Sequence, residues 1–123
     1  MASKDHFKIP EKQIQKDIID LFHLRGWLCF KVGSYRGKAP NTGQDGWHYV
    51  RTSGGFNGGK GIPDLLFCDL KGRWYVAEVK TAFGKLRPEQ KMLDEELKKR
   101  GSRLTVFRSS DDAERFINKI EKE

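Results

Sequence analysis

Asp64, Glu78 and Lys80 place two carboxylates and an amine in two short apolar segments, IPDLLFCDL and RWYVAEVK. Side chains alternate faces along a strand, so Trp74, Val76, Glu78 and Lys80 share one face and Tyr75, Ala77 and Val79 the other. Both faces begin apolar, which predicts a central strand covered on both sides. A face that ends in Glu78 and Lys80 then carries buried charge, which is costly unless paired or bound to a metal. Taken alone, the ExK triplet reads as a Glu–Lys pair at the end of a sheet. The preceding segment changes that weighting. A tight polar turn over Asp69–Gly72 folds 64–68 back on 73–80 as a hairpin. A turn centred on Leu70-Lys71 sets Asp64 opposite residue 77, and a bulge at Gly72 sets it opposite 78. In either register two carboxylates meet beside an amine. Such carboxylates repel when both are ionised, and a divalent cation relieves the conflict. Oxygen ligands without His or Cys suit Mg²⁺ or Mn²⁺. Lys80 can orient a water or steady charge on a phosphate. These are the parts of metal-assisted phosphodiester hydrolysis.

The elements that must hold these residues follow from periodicity. Pro10 opens a helix on which Ile14, Ile18, Leu21 and Phe22 recur at helical spacing, and Gly26 closes it. Trp27–Val32 reads as a strand, Ser34–Gly46 as a Gly- and Pro-containing loop, and Trp47–Thr52 as a second strand. After the 64–80 hairpin, Pro88 opens a helix that ends at Gly101. Leu104–Phe107 is a short strand. Asp111 caps a last helix with Ala113, Phe116, Ile117 and Ile120 on its inner face. The predicted order is α-β-β-β-β-α-β-α, an α/β mixture with a central hairpin and one domain over residues 1–123. On the second helix Leu86, Gln90, Leu93 and Leu97 share a face. Gln90 is the polar member of that inward stripe, there to satisfy a buried backbone group or to serve the site.

The stretch GGFNGGKGIPD contains GxxxxGK, the beginning of a phosphate-binding loop. That motif needs Ser or Thr after its Lys and a helix behind it. Here Gly61 follows Lys60, and Ile62-Pro63 leads into a strand. A nucleotide cofactor is therefore not expected. The glycines beside Lys60 instead permit close approach of backbone to a phosphate.

The chain has 123 residues and a net charge of +7. That surplus favours polyanions. Lys31, Arg36, Lys38, Arg51, Lys60, Lys85 and Arg87 flank the proposed site in sequence and could track a nucleic-acid backbone. His6, His23 and His48 have no ligand spacing. Cys29 and Cys68 sit in apolar runs and read as small buried hydrophobes, not as a zinc or disulfide set. No apolar run reaches the roughly 18 residues of a membrane span, and Met1–Pro10 has no signal-peptide pattern, so the expected compartment is the cytoplasm.

The pattern Pro63-Asp64…Glu78-Val79-Lys80 is the PD-(D/E)xK signature. With GKGIPDLLF, YVAEVKTAFGKLRPEQKMLDEEL, GSRLTVFRSSDD and the first helix PEKQIQKDIIDLF, the chain resembles the virus-type replication-repair nucleases, VRR-NUC, over nearly its whole length. The resemblance implies a restriction-endonuclease-like core, an α/β fold with a mixed central sheet flanked by helices. It implies Asp64 and Glu78 as metal ligands, Lys80 as the catalytic lysine, the Val79 carbonyl as a further ligand, and Gln90 beside the site. It also implies an acidic metal ligand on the first helix, matched by Glu11, although a Glu in a first turn is stabilising by charge alone. The small stand-alone members are similar to Holliday-junction resolvases and act as symmetric dimers, so the implied partners are branched DNA and a second copy of the chain. The competing expectation is a non-catalytic nucleic-acid-binding module that keeps the fold.

Overall fold

A computed structural model describes residues 9–32, 34–38, 42–49 and 55–123. Its first element, α1 (Glu11–Leu24), follows Pro10 and buries Ile14, Ile18 and Phe22 along one face. Gly26 ends it with φ +82°. There the Gly26 N–H reaches the His23 carbonyl and the Trp27 N–H the Phe22 carbonyl, at 3.1 and 2.9 Å. This is a Schellman closure, and glycine supplies the left-handed residue at no steric cost. The chain then enters β1 (Leu28–Lys31).

The main sheet contains β1, β4 (Leu65–Cys68), β5 (Trp74–Val79) and β6 (Leu104–Phe107), in the order β1-β4-β5-β6. The first two pairings are antiparallel, and β5 and β6 are parallel. A parallel pair needs a crossover, which α2 (Pro88–Lys99) provides. The last helix, α3 (Ser110–Glu121), packs with α1 over one face of the sheet. Between them lies the core of Phe22, Trp27, Phe67, Val79, Phe107 and Ile117, among others. The Phe22 and Phe67 rings stack with centroids 4.6 Å apart. Because Ala77 and Val79 point into this core, Glu78 must point to the opposite face, where α2 lies.

The segment expected to be a loop over Ser34–Gly46 contains a strand, β2 (Ser34–Lys38), paired antiparallel with β3 (Asp45–Tyr49) in a separate two-stranded sheet. The two strands satisfy each other's backbone groups, which overrides the weak strand preference of SYRGK. The element order therefore gains one strand over the predicted sequence. The cap of α3 is also corrected. The Ser109 hydroxyl, not Asp111, accepts the Asp112 N–H. Asp111 and Asp112 instead occupy the first turn, where their charge favours the helix dipole. Cys29 and Cys68 are buried free thiols, as expected. Burial pushes the Cys29 thiol up to about 12. Among the described residues no helix is long and apolar enough to cross a membrane.

Candidate active site

The β4–β5 hairpin sets the register. Leu65 pairs with Ala77 and Cys68 with Trp74, so Asp64 falls opposite Glu78. Of the two registers compatible with the sequence, this is the bulged one: the Gly72 N–H closes a turn on the Asp69 carbonyl, and Gly72 has φ +82°. Asp64 stands one residue before β4, and its Oδ2 accepts the Val79 N–H at 2.8 Å. A side chain thus continues the ladder where the backbone pairing stops. On the other edge the Lys80 N–H donates to the Phe107 carbonyl at 3.0 Å.

Glu78 is 2% exposed. Its Oε2 accepts from Gln90 Nε2 at 2.8 Å and lies 3.8 Å from Lys80 Nζ. Its Oε1 is buried without a hydrogen-bond partner. Burial, then the neighbouring Asp64 carboxylate, raises the Glu78 pKa to about 8, although Lys80 pulls it down. One ammonium at 3.8 Å does not offset desolvation plus a second carboxylate.

Gln90 satisfies a backbone group, as its inward position allowed, and also touches Glu78. Its Oε1 accepts the Arg87 N–H at 2.9 Å and caps α2, whose first residue is Pro88. That bond turns the amide nitrogen toward Glu78. Gln90 is therefore a positioning residue for the carboxylate.

These groups open onto a cleft of about 770 Å³. Asp64, Glu78, Lys80 and Gln90 line it, together with Glu11, Lys31, Lys60 and Arg87. Glu11 sits at the N-terminus of α1, its pKa raised by burial and by Asp64. The same neighbours act on Lys31, whose pKa is lowered chiefly by burial. Val79 is not among the lining residues: its side chain is in the core, and its N–H donates to Asp64. Lys38, on β2, and Lys85, in the loop before α2, are not among the cleft's lining residues. The backbone of Arg36 lies in β2, but its side chain, like the whole of Arg51, is outside the described residues.

The glycine stretch has no phosphate-binding helix behind Lys60. Phe56–Gly59 forms a short 3₁₀ turn, and the chain runs through Gly61 into β4. Gly61 has φ +79°, and a Cβ there would meet the Glu89 backbone at 2.9 Å. Glycine is needed because this loop packs directly on the first turn of α2 and forms one cleft wall.

Three contributors were missed. Lys12 and Gln15 of α1 also line the cleft. Gln15 had a readable signal, since it shares the buried face of Ile18 and Phe22 as Gln90 shares that of α2. Arg108 had none: its Nη1 donates to the carbonyls of Thr81, Ala82 and Gly84, pinning the turn that follows Lys80.

The donor set suits a hard divalent cation in chemistry: adjacent carboxylates and an unpartnered buried Glu78 oxygen. Among the described residues, however, no three His, Cys, Asp or Glu side chains form a ready-made cage. Asp64 and Glu78 are the pair the fold brings together.

A solved structure described as a VRR_NUC domain superposes with a TM-score of 0.60. The match covers 88% of this chain and 94% of that one at 24% identity. The fold is that of a VRR_NUC domain. No protein-family model matches the sequence, and no curated protein matches it. The VRR_NUC likeness thus rests on three-dimensional arrangement, and it agrees with the resemblance carried by the motifs.

Proposed function

We propose that the protein is a nuclease that hydrolyses DNA phosphodiesters with Mg²⁺ or Mn²⁺, as a structure-selective endonuclease acting on branched DNA. The observation that carries this reading is the convergence of Asp64, Glu78 and Lys80 in one cleft of a VRR_NUC fold. Asp64 and Glu78 would hold the cation, with Glu11 and the Val79 carbonyl as further candidate ligands, and when bound it would supply charge neutralisation and a more acidic water. The chain's own residues do the rest. The Val79 N–H fixes Asp64, and Gln90 fixes Glu78. Lys80, held at the Glu78 carboxylate, supplies positive charge to the phosphate as negative charge develops. Lys31, Lys60 and Arg87 on the cleft walls draw in the backbone without reading bases. A two-fold dimer would present two such sites to a four-way junction.

The test is cleavage of four-way junctions, flaps and plain duplex with Mg²⁺ or Mn²⁺. The expected result is metal-dependent cutting that favours branched DNA. A Lys80→Ala variant should bind the same DNA and not cut it. If pure, folded wild-type protein binds every substrate and cuts none, the protein is a binding module that keeps the fold.

A further inference from the structure

The Lys80 ammonium is placed without a hydrogen bond. Among the described residues its one charged partner is Glu78, with Nζ 3.8 Å from Oε2, too long for a hydrogen bond. A flexible four-carbon stem is not fixed by such a contact. Lys80 is nevertheless buried, so its position is set by its backbone and by what packs on its stem. Its N–H is tied to the Phe107 carbonyl, and the chain then turns over Thr81–Gly84, where the Gly84 N–H reaches the Thr81 carbonyl at 3.2 Å. That turn folds back onto the lysine: a Cβ at Gly84 would stand 3.5 Å from the Lys80 Cβ. Arg108 holds the turn there. Its Nη1 donates to the Thr81, Ala82 and Gly84 carbonyls at 2.8, 3.3 and 2.6 Å. Water can serve the carbonyls of a surface turn, so one guanidinium gathering three of them contributes rigidity more than satisfaction. The arginine is itself anchored, its N–H donating at 2.8 Å to Oδ2 of Asp112 in the first turn of α3. The same loop leads on to Gln90, so the two groups beside Glu78 Oε2 stand at its two ends.

We propose that Arg108 is a positioning residue for Lys80: by fixing the Thr81–Gly84 turn against the lysine stem, it sets where the ammonium stands when a phosphodiester is bound. The inference rests on the nuclease reading of the cleft. Arg108 is not among the cleft's lining residues, so it acts through Lys80 and not by touching DNA. Loss of the clamp therefore slows the chemical step and leaves the grip on the substrate unchanged.

The experiment compares wild type with Arg108→Ala and Arg108→Met in three measurements. These are melting temperature, affinity for a four-way junction across a salt series without divalent cation, and single-turnover cleavage with Mn²⁺ at saturating protein. Both variants should bind the junction with wild-type affinity and salt slope. Their cleavage rate per folded molecule should fall roughly ten- to a hundredfold. Dilute guanidinium chloride should restore part of the rate to Arg108→Ala, which leaves room for the ion, and sodium chloride at equal ionic strength should not. Weaker binding with a shallower salt slope would overturn the proposal and make Arg108 a DNA contact. So would a lowered melting temperature with a rate loss that guanidinium does not relieve, which would make it a folding element. If wild type cuts the junction and both variants cut it equally fast, the positioning role alone falls. If wild type binds the junction and cuts nothing, the nuclease reading falls and the positioning role with it.

Discussion

The β4–β5 hairpin carries a buried carboxylate at each end, and the two are treated oppositely. At the turn, Asp69 accepts the Lys71 and Arg73 N–H groups, the Arg73 guanidinium and the Tyr75 hydroxyl. Burial alone would raise its pKa, but these donors bring it down to about 2. At the open end, Glu78 has one donor on one oxygen, a second carboxylate beside it, and a pKa of about 8. The same strands thus bury one acid as a finished structural part and another as an unfinished one. An acid whose partners are all supplied by the chain stabilises it. An acid left short of partners destabilises it, and that deficit is available to a ligand.

The comparison breaks first on activity. Glu78→Gln should lower cleavage on the order of a thousandfold in a Mn²⁺ assay while leaving the protein folded. Asp69→Asn should leave cleavage per folded molecule near wild type. Equal losses in the two would erase the distinction.

Stability should show the reverse ranking. Asp69→Ala should cost roughly 2–4 kcal/mol in denaturant unfolding, since it strands several donors. In cation-free buffer near pH 9, Glu78→Gln should be neutral or stabilising by roughly 1–3 kcal/mol.

The smallest effect is on pH dependence. The folded state holds the Glu78 proton up to about 8, above its usual range near 4.5. Its contribution is therefore present in acid and lost as pH rises through 8. Asp69 behaves oppositely: its contribution is present above about 4 and lost as pH falls towards 2. Cation-free unfolding curves at several pH values should show stability declining from about pH 5 to pH 9, and Glu78→Gln should flatten that decline. An unchanged slope in the variant would place the alkaline loss elsewhere.

Much of this arrangement was legible because it is local. The alternation in RWYVAEVK fixes which face Glu78 takes, and the three-residue separation of Arg87 and Gln90 allows the cap of α2. The strand at Ser34–Lys38 was not legible, since its stability comes from its partner 45–49 and not from its own residues. The expectation of Asp111 as the cap failed for a different reason. Both residue types cap helices well, and only the backbone conformation at 109 decides between them. The Arg108 clamp spans more than twenty residues to its acceptors and leaves no spacing to read.

The bond from the Lys80 N–H to the Phe107 carbonyl also orders events in time. All the residues assigned to the chemistry have been made by residue 90, yet the strand bearing Glu78 has no second neighbour until β6 is made. Parallel pairing needs the whole α2 crossover first, and such non-local closure is slow. A growing chain therefore carries its full set of reactive groups before it has the frame that aligns them. The frame around Asp64, Glu78 and Lys80 is completed only when β6 joins the sheet.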